Sequence, residues 1–254
     1  MDIKILVATH KKYWMPDDEV YLPIHVGREG KQDLGYLGDN TGDNISVKNA
    51  NYCELTGLYW AWKNLDCEYI GLCHYRRYFG KSGKYISYIR EEKERILKYD
   101  EYNRMLRECD ILLPRKAKLK RTIAEQYAKS HKIKDLLEVR KIISQKYPEY
   151  LTSFDEVTNS NDVYFANMFV TKKTIFDDYC EWLFSILFEL EQTLDISEYD
   201  NYQSRVYGFL SERMFTVWLH KKKYIIRETD VVMLEKKIKW KRRVCRNIAR
   251  VFGI

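Results

Sequence analysis

Apolar and polar residues follow one another along the chain in blocks that predict strands and helices in turn. Continuous apolar runs rich in β-branched residues indicate strands buried in a sheet. They cover residues 3–9, 21–26, 67–73, 109–114, 163–171 and 224–228. Apolar residues at helical spacing predict helices over residues 49–64, 121–147, 175–194 and 207–221. Because strands alternate with helices, we expect an α/β fold whose mixed, mostly parallel sheet is flanked by helices.

Two polar stretches interrupt this pattern. Residues 35–44 are rich in Gly, Asp and Asn, which indicates turns and a loop. Residues 85–107 are highly charged, which is typical of a solvated helical face. We expect the second stretch to cover the sheet or to form a flap.

Composition places the chain among globular proteins. Of its 254 residues, 45% are apolar and 32% are charged. The six cysteines form no CxxC pair, so we expect reduced thiols of a cytosolic protein. A strand predicted from residue 3 leaves no room for a signal peptide, and no apolar run is long enough to span a membrane. We therefore expect a cytoplasmic protein.

The last residues differ from the rest of the chain. Residues 236–254 carry eight Lys or Arg and no acidic residue, so the remainder has a net charge of −1 while the whole chain has +7. Five apolar residues share one helical face, namely Trp240, Val244, Ile248, Val251 and Phe252. Such a basic amphipathic helix is typical of binding to an anionic membrane surface. We therefore divide the chain into a domain over residues 1–232 and a membrane-associating tail over residues 233–254.

This tail allows two other interpretations. Basic tails also bind the phosphates of nucleic acids, and an amphipathic helix can serve oligomerisation. The ordered apolar face favours the membrane, so we expect a protein on the inner face of the cell membrane that does not bind nucleic acid.

A concentrated polar cluster follows the predicted strand at residues 67–73. It contains His74, Arg76 and Arg77, while His10 and Lys11 follow the first strand in the same way. In open α/β sheets, ligands bind outside the carboxyl ends of the strands. The sequence therefore predicts the ligand site at this edge.

Several motifs carry a resemblance to a known family. The segments NISVKNANYCELTGLYWAWKN, YIGLCHYRRYF, NMFV, WLFSILFELE and YQSRVYGFLSERMFTVWL resemble the family catalogued as domain of unknown function 4422. The order of elements is also similar to that of GT-A nucleotide-diphospho-sugar glycosyltransferases. The resemblance spans residues 3–228 and implies a GT-A-like, Rossmann-like fold.

The activity that this resemblance implies is hexosyl transfer in bacterial capsular or exopolysaccharide synthesis. The expected donor is a nucleotide-diphosphate sugar, most simply a UDP-sugar, with a hexose of galactofuranose, galactose or glucose type. The expected acceptor is a lipid-linked oligosaccharide. Two rival functions are a non-catalytic module that binds nucleotide or sugar, and a nucleic-acid-binding protein that uses the tail.

The sequence departs from the GT-A pattern at the metal-binding Asp-x-Asp. Residues His74–Arg76 stand in that place, and arginine does not ligate a metal. Because guanidinium groups bind phosphate bidentately and stabilise a leaving diphosphate, we expect Arg76 or Arg77 to replace the metal. The sequence thus predicts transfer without a cofactor.

Two alternatives to this assignment stay open. Either arginine could instead pair with a structural carboxylate. A divalent metal could also be held by His74 with Asp39 or Asp43, although the spacing does not demand it.

The resemblance also suggests catalytic residues. Glu212, in the segment SER, stands where many inverting GT-A enzymes place a general base, and Asp200 is the alternative base. An ordinary helical pair with Arg213 would equally explain Glu212. His74 could bind phosphate or acceptor, or be a satisfied interior group.

The remaining predicted site residues divide between donor and acceptor. The expected donor ligands, besides the two arginines, are Thr9, His10, Lys11, Asp39 and Asp43. The expected acceptor ligands are Tyr127, His131 and Asn167. A solvated helix face would equally explain Tyr127 and His131.

Overall fold

The computed structural model describes residues 1–83 and 91–234, which build a large mixed β-sheet between two unequal layers. The strands are β1 (Ile3–Thr9), β2 (Tyr21–His25), β3 (Leu37–Gly38), β4 (Tyr69–His74), β5 (Arg77–Gly80), β6 (Ile111–Pro114), β7 (Ala117–Lys118), β8 (Asp162–Val163), β9 (Phe169–Lys172) and β10 (Ile226–Met233). The α-helices are α1 (Asn49–Tyr52), α2 (Leu55–Asn64), α3 (Tyr99–Met105), α4 (Ile123–Ser130), α5 (Ile133–Lys146), α6 (Leu151–Thr158), α7 (Lys173–Thr193) and α8 (Val206–Lys222).

The sheet is parallel in one half and mixed in the other. Strands β3, β2, β1 and β4 lie side by side and parallel. Beyond β4, β9 runs antiparallel to both β4 and β6, while β10 pairs parallel with β6 and antiparallel with β5. The expectation of a mostly parallel sheet is therefore wrong for the second half. The reason is local for β5: only two residues separate it from β4, and so short a connection allows only antiparallel pairing.

Side chains alternate between the two faces of the sheet. In β1, Leu6 and Ala8 belong to the core under α2, α7 and α8, whereas Ile5 and Val7 belong to a second core. That second core is completed by α3 and by tyrosines such as Tyr102. Helix α8 is buried on nearly all sides from Val206 to Leu219, so its apolar residues are spread around the helix and form no single apolar stripe.

The helix predicted over residues 49–64 is interrupted in the structure. Cys53 has a φ of 53° and ends α1, and α2 begins at Leu55. The helix predicted over residues 121–147 is likewise divided, into α4 and α5, by an extended His131.

The strand predicted over residues 163–171 is interrupted too. It is divided into β8 and β9 because Ala166 and Asn167 both have positive φ, at 70° and 49°. Left-handed backbone is costly for alanine and better tolerated by asparagine. All three interruptions border the cavity described below.

The charged stretch predicted as a helical face is helical only in part. Among its described residues, a 3-10 turn at Glu92–Arg95 precedes α3. Residues 84–90 and the basic tail, with its predicted membrane-binding helix, lie outside the described residues. Across residues 1–83 and 91–234, each helix is too short or too polar to cross a bilayer.

Candidate active site

A cavity of about 880 Å³ opens where β1 and β4 end. Because these strands are parallel, their carboxyl ends meet at one edge of the sheet. Seven of the predicted site residues line this cavity, namely Thr9, His10, His74, Arg76, Arg77, His131 and Glu212. The cavity thus lies at the edge of the sheet where the sequence predicts a ligand site.

The segment His74–Arg77 forms a tight turn at the cavity floor. His74 pairs with Arg77 across the turn between β4 and β5, which leaves Tyr75 and Arg76 at its tip. The Arg76 guanidinium lies 4.9 Å from the centre of the Tyr75 ring, and that ring is buried against the edge of His10. The tyrosine therefore supports the arginine where the strands end.

One wall of the cavity is cationic. Lys31, Arg76 and Arg205 line it together with His10. Burial lowers the pKa of His10, and the neighbouring positive charges, including Lys11 and these three, act in the same direction. This wall is therefore suited to hold an anion such as a diphosphate.

The left-handed residue Ala166 joins two other side chains that line the cavity. Its carbonyl oxygen lies 2.7 Å from Nε2 of His74, and its N–H donates to Oε1 of Glu212 at 2.9 Å. Strained backbone of this kind costs about 1–3 kcal/mol and persists only where surrounding contacts hold it. Here it fixes the position of His74 relative to Glu212.

The contact with Ala166 also assigns the protonation of His74. A carbonyl oxygen accepts, so Nε2 of His74 carries the hydrogen. Burial lowers the pKa of His74, which favours the neutral ring. Its Nδ1 atom is then an acceptor and can receive a hydrogen bond from a substrate hydroxyl.

Two carboxylates, Glu54 and Glu212, also line the cavity. Oε1 of Glu54 accepts from Nδ2 of Asn167 at 2.8 Å, and the same nitrogen donates to Oγ of Ser211 at 2.9 Å. Burial raises the pKa of Glu212; the charge of Glu54 adds to this, whereas Arg213 and Arg77 oppose it. A buried carboxylate with a raised pKa that lines a cavity is typical of acid–base sites.

Arg213 supports Glu212 from the interior. Its Nη1 donates to Oε2 of Glu212 at 2.9 Å, and the guanidinium also donates to Oε1 of Gln126 and to the carbonyl oxygen of Phe209. Glu212 therefore does pair with Arg213, as the alternative interpretation of Glu212 expects. Because Glu212 also lines the cavity, this contact does not remove it from the candidate bases.

Two predicted donor ligands lie elsewhere. Asp39 is fully buried and accepts from the N–H groups of Gly27 and Arg28, so it holds the turn that follows β2. Asp43 accepts from the hydroxyl of Tyr59 outside the cavity. Neither carboxylate lies on the cavity wall, which corrects both assignments.

Four other predicted residues do not line the cavity. The Asp200 carboxylate caps the turn before α8, and Tyr127 is buried with its hydroxyl against Asp135. Asn167 lies behind the wall, where its Oδ1 is buried without a partner among the described residues. Lys11 is exposed beside Tyr75. Asp200 and Tyr127 therefore make contacts away from the cavity lining, whereas Asn167 contacts Glu54, which lines it.

Several lining residues were not predicted from the sequence. They include Lys31, Glu54, Tyr202, Arg205 and Phe209. Glu54 was hidden inside an apparently continuous helix. Arg205 and Phe209 stand in the motif YQSRVYGFLSER. The spacing of residues in this motif does not show which of them face the cavity and which belong to the core.

Metal ligation can also be checked on the described residues. Over residues 1–83 and 91–234, no three His, Cys, Asp or Glu side chains are grouped so that they could hold a metal ion. The alternative of His74 with Asp39 or Asp43 finds no support, since neither carboxylate lines the cavity with His74.

The burial of His131 predicts that the stability of this region depends on pH. Its ring stacks on Phe209 at 4.2 Å, and its Nδ1 pairs with Gln203. Burial lowers the pKa of His131 to about 4, and the Arg213 charge acts in the same direction.

We therefore expect the free energy of unfolding to fall as the pH drops. A histidine whose pKa is lowered in the folded chain contributes fully above its ordinary value of about 6.5, and this contribution is lost as the pH approaches 4. His131→Phe should remove about 2 kcal/mol of that loss. Urea unfolding of the wild-type chain and of His131→Phe at pH 7 and pH 4.5 measures this difference. An equal fall in the free energy of unfolding of the two chains would contradict the expectation.

Comparison with solved structures gives one neighbour that bears on the site. An apo structure of the bifunctional glycosyltransferase WbbM superposes with a TM-score of 0.86 at 34% sequence identity. The match covers 93% of this chain and 46% of that one. This chain therefore spans about half the length of WbbM. A search of curated proteins gave no match.

A family comparison agrees with the resemblance seen in the motifs. Residues 4–223 match the family described as a domain of unknown function, DUF4422. The matched range contains every residue of the cavity wall. The chain therefore belongs to the DUF4422 family.

Proposed function

We propose that this chain is a GT-A-like glycosyltransferase domain. It moves a hexose from a nucleotide-diphosphate sugar, most simply a UDP-sugar, to a glycan acceptor. The likeness to WbbM supports a glycosyltransferase, and the basic residues at 236–254 support a lipid-linked acceptor at a membrane surface.

One observation carries this proposal: basic and acidic side chains line the same cavity. Arg76 and Lys31 are among the basic ones, and Glu54 and Glu212 are the acidic ones. Glycosyl transfer from a nucleoside diphosphate requires both, since the leaving group gains negative charge while the acceptor loses a proton.

The chemistry then assigns a role to the basic side chains and another to the acidic ones. An acceptor hydroxyl transfers its proton to the Glu212 carboxylate while its oxygen forms the bond to the anomeric carbon of the donor. The bond between that carbon and the diphosphate oxygen breaks, and the electron pair leaves with the diphosphate. Arg76 stabilises the charge that develops there. His74, neutral and fixed by Ala166, accepts from a sugar hydroxyl.

The proposal is tested by turnover of UDP-hexoses without added metal. We expect UDP release from at least one of UDP-galactofuranose, UDP-galactose and UDP-glucose, and a rate that changes less than about twofold in EDTA because arginine supplies the positive charge. Binding of UDP, followed by thermal shift, separates binding from catalysis. Strong loss in EDTA that manganese restores would contradict replacement of the metal. UDP binding without turnover of any donor would contradict the enzyme.

A further inference from the structure

An aromatic cluster lies at the cavity wall next to the carboxylates. His131 stacks on Phe209 with ring centres 4.2 Å apart, and Tyr202 lies 5.1 Å from Phe209 and 5.9 Å from His131. All three residues line the cavity. We refer to His131, Tyr202 and Phe209 as the aromatic platform.

Core packing alone does not explain this platform. Tyr202 is 45% exposed although it carries a large ring, and it follows the turn that Asp200 caps. Gln203, which also bonds the backbone of Ser130, holds His131 in place. Gln203 thus fixes the His131 ring, while the Tyr202 ring remains open to solvent.

The platform lies beside the proposed general base. Phe209 and Glu212 are three residues apart in α8, so their side chains lie on one face of the helix, about one turn or 5 Å apart. Arg205 also contacts the platform, with its guanidinium 5.4 Å from the centre of the Phe209 ring. A ring stacked on the platform would therefore have its rim within reach of Glu212.

We infer that the aromatic platform is the acceptor subsite and binds the apolar face of a pyranose ring. A pyranose presents C–H groups on its faces and hydroxyl groups around its rim, which matches an aromatic surface beside polar side chains. This inference rests on the proposed function, because that function requires an acceptor sugar whose hydroxyl meets the base. In the proposed function the donor diphosphate binds beside Arg76 and Lys31, so the platform is left for the second substrate.

Saturation-transfer difference NMR with three simple glycosides tests this subsite. The probes are methyl β-D-galactopyranoside, methyl β-D-glucopyranoside and methyl α-D-mannopyranoside, each measured with UDP present. We expect at least one glycoside to receive saturation mainly on the C–H protons of one ring face. The signal should fall roughly fivefold or more in Tyr202→Ala and persist in Tyr202→Phe, which retains the ring. The affinity for UDP should stay within about twofold.

Three results would overturn the inference. One is no signal from any of the glycosides with the wild-type chain. Another is an equal signal in Tyr202→Ala. The third is a fall in UDP affinity of about fivefold in Tyr202→Ala, which would assign the platform to the nucleotide base instead. Because the readout is binding, the outcome is separate from the proposed function: glycoside binding without UDP-hexose turnover would refute the enzyme and retain the platform.

Discussion

Arg76→Ala is expected to lower the rate of UDP-hexose turnover by about 10²–10³-fold, because it removes a preorganised cation from the site where the leaving diphosphate gains charge. Arg76→Lys should recover part of the rate, since lysine keeps the charge but lacks the planar fork that binds phosphate bidentately. Initial rates of UDP release measure both. Arg140→Ala, which removes a cation paired with Asp155 on the surface, is the matched control and should change the rate less than about twofold.

Arg77→Ala should behave differently from Arg76→Ala. The Arg77 charge acts to lower the pKa of Glu212, so its removal raises that pKa further. A base with a higher pKa is ionised only at higher pH, and the acid limb of the pH–rate profile should move upward. Arg76→Ala should lower the rate at every pH and leave the position of the limb nearly unchanged. Equal profiles for the two variants would contradict this division of roles.

The contrast between the two arginines also shows how far the sequence could go. The motif HYRRYF predicted that both would lie at a strand end, because a buried apolar strand precedes them. The motif could not predict that the two arginines have different neighbours. The two-residue turn between β4 and β5 sends Arg76 towards His10 and leaves Arg77 opposite His74. That separation depends on strand pairing, which is a tertiary property.

The elements that the sequence predicted well are those determined by their own pattern. Strand β1 has its predicted bounds, and β6, α7 and α8 lie within a few residues of theirs, because long apolar runs and helical periodicity are local signals. The misses at the cavity include the left-handed residues Cys53, Ala166 and Asn167, where no glycine indicates a positive φ.

Long-range contacts explain why these positions could not be read from the sequence. The sulfur of Cys53 accepts from Nε of Arg205, and Asn167 bonds both Glu54 and Ser211. These partners lie far along the chain from the residues they hold. The local sequence favours a continuous helix and a continuous strand, and tertiary contacts override it. The same overrides bring Glu54 to the cavity, so the missed backbone and the missed carboxylate have one cause.

Glu212→Gln is expected to lower turnover by about 10²–10⁴-fold, because the amide cannot accept the proton of the acceptor hydroxyl. Its oxygen can still accept from the N–H of Ala166, so the affinity for UDP should remain close to that of the wild-type chain. The thermal midpoint should fall, because the buried Arg213 loses the charge of its partner. The acid limb of the pH–rate profile should disappear in this variant. In the wild-type chain that limb should lie above the ordinary carboxylate value of 4.5, since burial raises the pKa of Glu212.

Glu54→Gln is the matched test of the second carboxylate. The Glu54 charge raises the pKa of Glu212, so its removal should lower that pKa and move the acid limb to lower pH. The amide oxygen of the introduced glutamine can still accept from Asn167, and turnover on the plateau should fall only about tenfold. Should Glu54→Gln abolish turnover and the limb while Glu212→Gln retains both, the base is Glu54 and Glu212 positions it. The shift of the acid limb of the pH–rate profile therefore distinguishes the general base from a neighbouring carboxylate whose charge only changes the pKa of that base.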